Sequence, residues 1–368
     1  MKIVYIHKAQ FQNRPPVIST VMLLCDLGYQ VDLITCGISN DFRKILERKN
    51  VKIHVVPGVE YSNTSGRLNK ILEYYRFRHA VEKILKRFYH SGSTVLWLEG
   101  NYTFLSLGSL IKNYRYILQI QELSNDHKLQ FKAISNIISK AELVFMPEYC
   151  RTVLFQNWFH LKHRPAVLEN KPYFLPDRKQ LEALKEKYKN TIRLLDGKKN
   201  ILFQGGISSE RNLTTYVSAI RRLHPEYQMV LLGKDQGMLH SYLQINPDIL
   251  HIDHMIAPDY LLITSLCHIG IVTYDPMTLN SAFCAPNKIF EYSAYSLPMI
   301  GNDIPGLRFK FERFQSGLII DDSQEENIIN AICEIDKNYD RYQKNAGLLY
   351  SSVDNKKILS QELNKIHL

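Results

Sequence analysis

Short apolar runs alternate with helix-length amphipathic segments along almost the whole chain. In the first half the runs are Ile3–His7, Val31–Thr35, Val51–Pro57, Val95–Leu98, Ile117–Gln121, Leu143–Met146 and Ala166–Leu168. In the second half they are Asn200–Gln204, Gln228–Leu232, Ile249–His254, Ile269–Tyr274, Met299–Gly301 and Leu318–Ile320. Most are rich in Val, Ile and Leu and do not alternate strictly with polar residues, which suits strands covered on both faces of a parallel sheet. Strands alternating with helices predict an α/β fold class.

The pattern restarts near residue 200. Between the halves lies Glu169-Asn170-Lys171-Pro172-Tyr173-Phe174-Leu175-Pro176, an extended connector with two prolines, followed by a very polar helix over about Arg178–Lys189. The economical architecture is two Rossmann-like domains, residues 1–171 and 172–350, facing each other across a cleft where a ligand would sit. Helices fill Glu325–Leu368, broken at Ser351-Ser352-Val353-Asp354, and the last of them, within 351–368, is expected to pack back on the N-terminal domain.

Composition narrows the class. A chain of 368 residues with 45% hydrophobic and 22% charged positions is neither disordered nor a low-complexity polymer. No run of 18 apolar residues is present, and Met1-Lys2-Ile3-Val4-Tyr5-Ile6-His7 lacks the apolar stretch of a secretory signal, so a cytoplasmic location is expected. The six cysteines are scattered without a C-x-x-C pair, which argues against a disulfide frame or a zinc site.

Charge separates the halves. Residues 1–170 hold 23 Lys and Arg against 13 Asp and Glu, whereas the remainder holds 23 of each, so the whole excess of +10 lies in the first half. Much of it falls in Arg67–Tyr89, where Leu68, Ile71, Leu72, Tyr75, Val81, Ile84, Leu85 and Phe88 recur at helical spacing. This is either a surface helix with a solvated basic face or a helix that sits on anionic lipid headgroups, where each basic residue contributes about 1 kcal/mol. Nucleic acid is not expected as a partner, because no helix-turn-helix, zinc-finger or RNA-binding sheet signature accompanies the charge.

Two segments carry candidate chemistry. The first is Ile201-Leu202-Phe203-Gln204-Gly205-Gly206-Ile207-Ser208-Ser209-Glu210-Arg211, a strand, a double glycine and the start of a helix. Gly205 and Gly206 permit close backbone approach, the helix start offers N–H groups to a phosphate, and Arg211 in the first turn suits an anionic ligand. The bland reading is a tight βα turn with an exposed arginine. The segment is neither a Walker loop nor G-x-G-x-x-G, which removes support for P-loop enzymes and ordinary dehydrogenases.

The second segment runs from Tyr274 to Leu307 and contains Ala285-Pro286-Asn287-Lys288-Ile289-Phe290-Glu291-Tyr292, then Leu297-Pro298-Met299-Ile300 and Asp303-Ile304-Pro305-Gly306. Here the sequence resembles the retaining, GT-B-fold glycosyltransferases of family 4. The glycine turn, Leu231-Leu232-Gly233 and the stretch from Pro258 through Val272 fall in that family's order, so the resemblance covers residues 200–310 and extends to the first half only by architecture.

The resemblance implies a nucleotide-sugar donor, UDP- or GDP-linked, bound by the C-terminal domain. Glu291 would accept hydrogen bonds from the ribose hydroxyls, a task suited to a carboxylate with two oxygens. The backbone near Ala285, Pro286 and Asn287 would face the diphosphate or sugar, with Lys288 either pairing with phosphate or pointing to solvent. Arg211 would neutralise the leaving diphosphate as a catalytic cation. Two departures stand out. Phe283 occupies the place of the family's first glutamate, and Gly206 that of an arginine, so the sugar is unreadable and one cation stands where two are common. No D-x-D occurs, so no metal and no other cofactor is expected.

In the first half, Gln121 stands where the family often carries a histidine, and Glu122 is left as a catalytic or acceptor-orienting candidate or a turn carboxylate. His7, Glu99 and Asn101, each just after or at the end of a strand, are acceptor-side candidates. The implied activity is sugar transfer with retention to a glycan acceptor, lipid-linked at the membrane face, in bacterial-type surface-polysaccharide synthesis. The rivals are a nucleotide-sugar epimerase of the same fold and a non-catalytic nucleotide-sugar-binding subunit.

Overall fold

The computed structural model describes residues 2–57 and 67–368. Each expected apolar run holds one strand: β1 Lys2–Gln10, β2 Gln30–Gly37, β3 Lys52–Val55, β4 Thr94–Glu99, β5 Arg115–Gln119, β6 Leu143–Met146, β7 Ala166–Val167, β8 Lys199–Gln204, β9 Tyr227–Leu232, β10 Leu250–Ile252, β11 Ile269–Val272, β12 Met299–Asn302 and β13 Gly317–Ile320. The chain divides into two compact units, Met1–Tyr173 with Asp354–Leu368, and Phe174–Val353.

The first unit is built on a seven-stranded sheet of order β3-β2-β1-β4-β5-β6-β7, and every pairing is parallel. Its central strands are buried on both faces: Ile3 to Ile6 and Val95 to Leu98 have no solvent exposure. On one face, three buried polar side chains converge on Gln119. Gln119 Oε1 accepts from the Tyr5 hydroxyl (3.0 Å) and the Trp97 indole (2.9 Å), and its amide donates to Thr20 Oγ1 (3.1 Å). Trp97 also stacks on Tyr5 and Phe145, with centroids 6.0 and 5.2 Å away. The helix Asn355–Asn364 belongs to this unit; Asn355 donates to the Glu169 carbonyl (2.7 Å), and the chain end accepts from Tyr29 and Arg115.

The second unit carries a six-stranded parallel sheet of order β10-β9-β8-β11-β12-β13. In each sheet the chain reverses its direction of strand addition once, between β1 and β4 in the first and between β8 and β11 in the second. Loops leaving the carboxyl ends of such strands diverge to opposite faces and open a crevice, the usual ligand position in open α/β sheets.

Two local expectations are corrected. The polar segment after the connector forms two helices, Arg178–Lys187 and Lys189–Arg193. The basic helix spans Arg67–Phe88, but its buried stripe is Phe77, Val81 and Leu85, while Ile71 (61% exposed), Leu72, Tyr75 (72% exposed) and Phe88 face solvent. Residues at i, i+4 and i+8 lie along one side of a helix, and only that side is covered, the helix Asn101–Leu107 packing against it. Among the described residues, no helix is long and apolar enough to cross a membrane.

Candidate functional site

The β8–β11 reversal point of the second unit gathers the residues singled out in the sequence. Strand β8 ends at Gln204, and Gly205 follows at φ +139°, a conformation that side chains rarely adopt. A Cβ on Gly205 would sit 3.0 Å from an Arg211 guanidinium nitrogen and 3.4 Å from Lys288 Nζ. Gly233, at the end of β9, is bound to the same turn: a Cβ there would lie 2.2 Å from the Gly205 carbonyl oxygen. Arg211 lies in the short 3-10 turn Ser209–Arg211, and the next helix starts only at Thr214. It therefore precedes the helix instead of occupying its first turn.

The helix Asn287–Ala294 begins after Pro286, with no side chain capping its first N–H groups. Its three-residue spacing places Lys288 and Glu291 on one face. Both turn inward, at 7% and 4% exposure, so Lys288 does not take the solvent-pointing alternative. The Lys288 ammonium lies 3.9 Å from the Phe203 ring centre and 5.7 Å from that of Tyr274, and makes no hydrogen bond. Arg211 joins this cluster, 5.1 Å from the Tyr274 centroid. Tyr274 is itself pinned by Asn302, which accepts from its N–H (3.2 Å) and donates to its carbonyl (2.8 Å). Burial, and then the nearby Arg211 charge, hold Lys288 well below the usual lysine range.

Glu291 is the acidic member. Its Oε2 accepts from the Gln204 side-chain amide (2.6 Å) and its Oε1 from the Tyr260 hydroxyl (2.7 Å). Burial pushes its pKa up, opposed by Tyr260, Lys288 and Gln204. Tyr260 is pushed far above the phenol range by burial and by the Glu291 charge, so it remains a donor. Gln204 in turn accepts from Thr264 Oγ1 (2.7 Å), and its backbone N–H donates to the Tyr292 hydroxyl (3.1 Å). Gly205, Arg211, Lys288 and Glu291 thus share one locus, with Pro286 and Asn287 at the helix start and Ala285 just before it. Gly206 packs against Gln236. Sequence reasoning gave no role to Gln204, Tyr260, Thr264, Phe203 or Tyr274; the available signal was the four-residue step from Tyr260 to Thr264, which aligns them on one face of a short helix.

The β1–β4 reversal point of the first unit joins two acceptor-side candidates. His7 and Glu99 are register partners, and His7 Nδ1 lies 2.5 Å from Glu99 Oε2 with both side chains buried. Neither ring nitrogen of His7, nor Glu99 Oε2, makes a hydrogen bond, so the two side chains meet as a close contact. Asn101 donates to Ser124 Oγ (2.5 Å). Glu122 is apart from the pair, 53% exposed and 3.9 Å from Arg151, which also donates to the Gln121 carbonyl.

No family model matches the sequence, and no curated protein matches it. Solved structures match over the full length. HepE of Anabaena in complex with UDP-glucose is 12% identical, covered at 100% of this chain and 99% of that one, with a TM-score of 0.74. Sucrose-phosphate synthase of Thermosynechococcus elongatus is 13% identical at 100% and 98% coverage, TM-score 0.71. The lipopolysaccharide outer core galactosyltransferase WaaB is 14% identical at 99% of both chains, TM-score 0.67. The chain has the GT-B fold.

Proposed function

We propose that the chain is a nucleotide-sugar-dependent glycosyltransferase whose second unit binds the donor and whose basic first unit binds the acceptor. The observation that carries this reading is the convergence of Arg211 and the unpartnered Lys288 on the Gly205 backbone, beside the buried carboxylate of Glu291. Two cations at a glycine turn, with a helix start adjacent, suit a diphosphate; a carboxylate deeper in the same crevice suits the ribose hydroxyls. The ligand of one structural neighbour, UDP-glucose in HepE, and the activity of another, galactosyl transfer by WaaB, support the same reading.

In this mechanism the acceptor hydroxyl bonds to the anomeric carbon as the bond to the diphosphate breaks, on the same face, with retention. The electron pair stays on the diphosphate, whose departing oxygen takes up the acceptor hydroxyl's proton on that same face, and Arg211 and Lys288 neutralise the charge that develops. These cations take the part a divalent metal plays elsewhere, so the reading includes no metal and no other cofactor. His7, Glu99, Asn101 and Glu122 lie on the acceptor side. The acceptor is a glycan, lipid-linked, in surface-polysaccharide synthesis at the cytoplasmic face of a membrane whose anionic surface meets the helix Arg67–Phe88.

The test is thermal unfolding with UDP, GDP, ADP and CMP in turn, on the wild type and Glu291→Ala. A ligand at 100 times its Kd stabilises by about 2.7 kcal/mol. A shift with one nucleotide that Glu291→Ala loses supports the donor site; no shift with any of them removes it.

One observation favours a second reading. A buried His–Glu pair with an unpartnered ring nitrogen is suited to moving a proton, as a nucleotide-sugar epimerase requires. Deuterium from solvent appearing in recovered nucleotide-sugar would favour the epimerase, and its absence during sugar release the transferase.

A further inference from the structure

The hydrogen bonds around Glu291 have a direction, and the direction limits what the carboxylate can still accept. An ionised carboxylate offers about four lone-pair positions, two on each oxygen. One position on Oε2 is filled by the Gln204 amide and one on Oε1 by the Tyr260 hydroxyl. The amide of Gln204 cannot turn round without loss, because its oxygen already accepts from the fully buried Thr264 hydroxyl. Its backbone is held as well, through the N–H donated to Tyr292. Tyr260 and Thr264, four residues apart, approach from one helix edge and clamp the two ends of the arrangement.

We propose that Tyr260, Gln204 and Thr264 are positioning residues that leave Glu291 with one open lone pair on each oxygen, aimed together at the vicinal hydroxyls of a ribonucleotide. The inference rests on the donor-site reading above and adds a specificity: the site selects ribo- over deoxyribonucleotides, and the selectivity depends on residues that do not touch the ligand. A free carboxylate could rotate to satisfy a single hydroxyl. One held at both oxygens gains most from a diol that meets both vacancies at once, and loses most when one hydroxyl is missing.

The test compares the Kd of UDP with that of 2′-deoxy-UDP by calorimetry on the wild type, Tyr260→Phe, Thr264→Val and Glu291→Ala. If one of the other three nucleotides is the one bound, its own ribo and deoxy pair is used. The wild type is expected to prefer the ribonucleotide by about 10-fold or more, the scale of one hydrogen bond to a charged group. Tyr260→Phe and Thr264→Val are expected to weaken the ribonucleotide while leaving the deoxynucleotide nearly unchanged, compressing the ratio at least threefold. Equal weakening of both ligands, or an unchanged ratio in both variants, overturns the positioning role, since a packing defect does not distinguish the two. Thr264→Val carries the test if Tyr260→Phe does not fold. A ratio that survives Glu291→Ala overturns the ribose contact itself, and a wild type that binds none of the nucleotides overturns the donor site and this inference with it.

Discussion

Lys288 holds its ammonium 3.9 Å from the centre of the Phe203 ring, buried, with no hydrogen-bond acceptor. The ring face attracts a cation, but a buried polar group without a partner still costs about 1–3 kcal/mol. On the proposed donor-site reading, stability is traded here for affinity. Lys288→Met keeps the stem packed on Phe203 and removes the charge. The expected outcome is a protein more stable to urea by about 1 kcal/mol or more, with the nucleotide-induced shift in Tm abolished. A variant of lowered stability that still binds nucleotide would contradict it.

The same lysine sets a pH dependence. Burial, then Arg211, lower its pKa, with Glu291 and Cys284 acting the other way. In the unfolded chain the group takes up its proton more readily than in the fold, so its contribution makes stability rise with pH between the depressed folded value and about 10.4, the ordinary lysine value. Diphosphate favours the ammonium, so nucleotide affinity has the opposite slope. It is flat at lower pH and falls by up to tenfold per unit once pH passes the depressed value. Calorimetric titrations with UDP above pH 7.5, where the phosphate's own ionisation near pH 6 is complete, read this directly. In Lys288→Met this lysine's contribution to the stability slope should vanish.

The strand positions were readable in the sequence because parallel strands covered on both faces must be continuous apolar runs; Val95–Leu98 and Ile269–Val272 admit no other element of their length. The candidate site was locatable where chemistry depends on neighbours in the chain: the glycine turn, and Lys288 and Glu291 one turn apart. It was not readable where chemistry depends on distant residues. Lys288 is buried by Phe203 and Tyr274, and Glu291 is held by Gln204 and Tyr260, which lie 87 and 31 positions away. The helix Arg67–Phe88 shows a third case, with two apolar stripes of helical spacing. Periodicity alone does not say whether Ile71, Leu72 and Tyr75 or Phe77, Val81 and Leu85 turn inward.

His7 and Glu99 form a second buried pair, and removing one member should be worse than removing both. Breaking a buried pair leaves an uncompensated polar group and costs about 3–5 kcal/mol, whereas an apolar replacement of both is often nearly neutral. Glu99→Leu is expected to be markedly destabilised in urea, and His7→Leu/Glu99→Leu to recover much of the loss. All these variants that remain folded should keep the nucleotide-induced shift, because the proposed donor residues belong to the other unit. Loss of that shift in the folded double variant would show that the nucleotide depends on this pair.

The exposed face of Arg67–Phe88 makes the membrane reading testable at individual residues. Ile71, Leu72 and Tyr75 project to solvent along its first half, and Arg76, Lys83, Lys86 and Arg87 are exposed along and after them. Apolar side chains of this size gain by leaving water, and basic residues gain about 1 kcal/mol each near an anionic bilayer, an attraction screened by salt. The two contributions separate experimentally. Lys83→Glu/Lys86→Glu/Arg87→Glu should lower sedimentation with anionic vesicles by about 100-fold or more and remove its salt dependence. Ile71→Ser/Leu72→Ser/Tyr75→Ser should weaken binding while leaving the salt dependence in place. Equal sedimentation of the wild type with anionic and neutral vesicles would leave the basic face as a solvated surface, and the acceptor would then have to reach the first unit from solution.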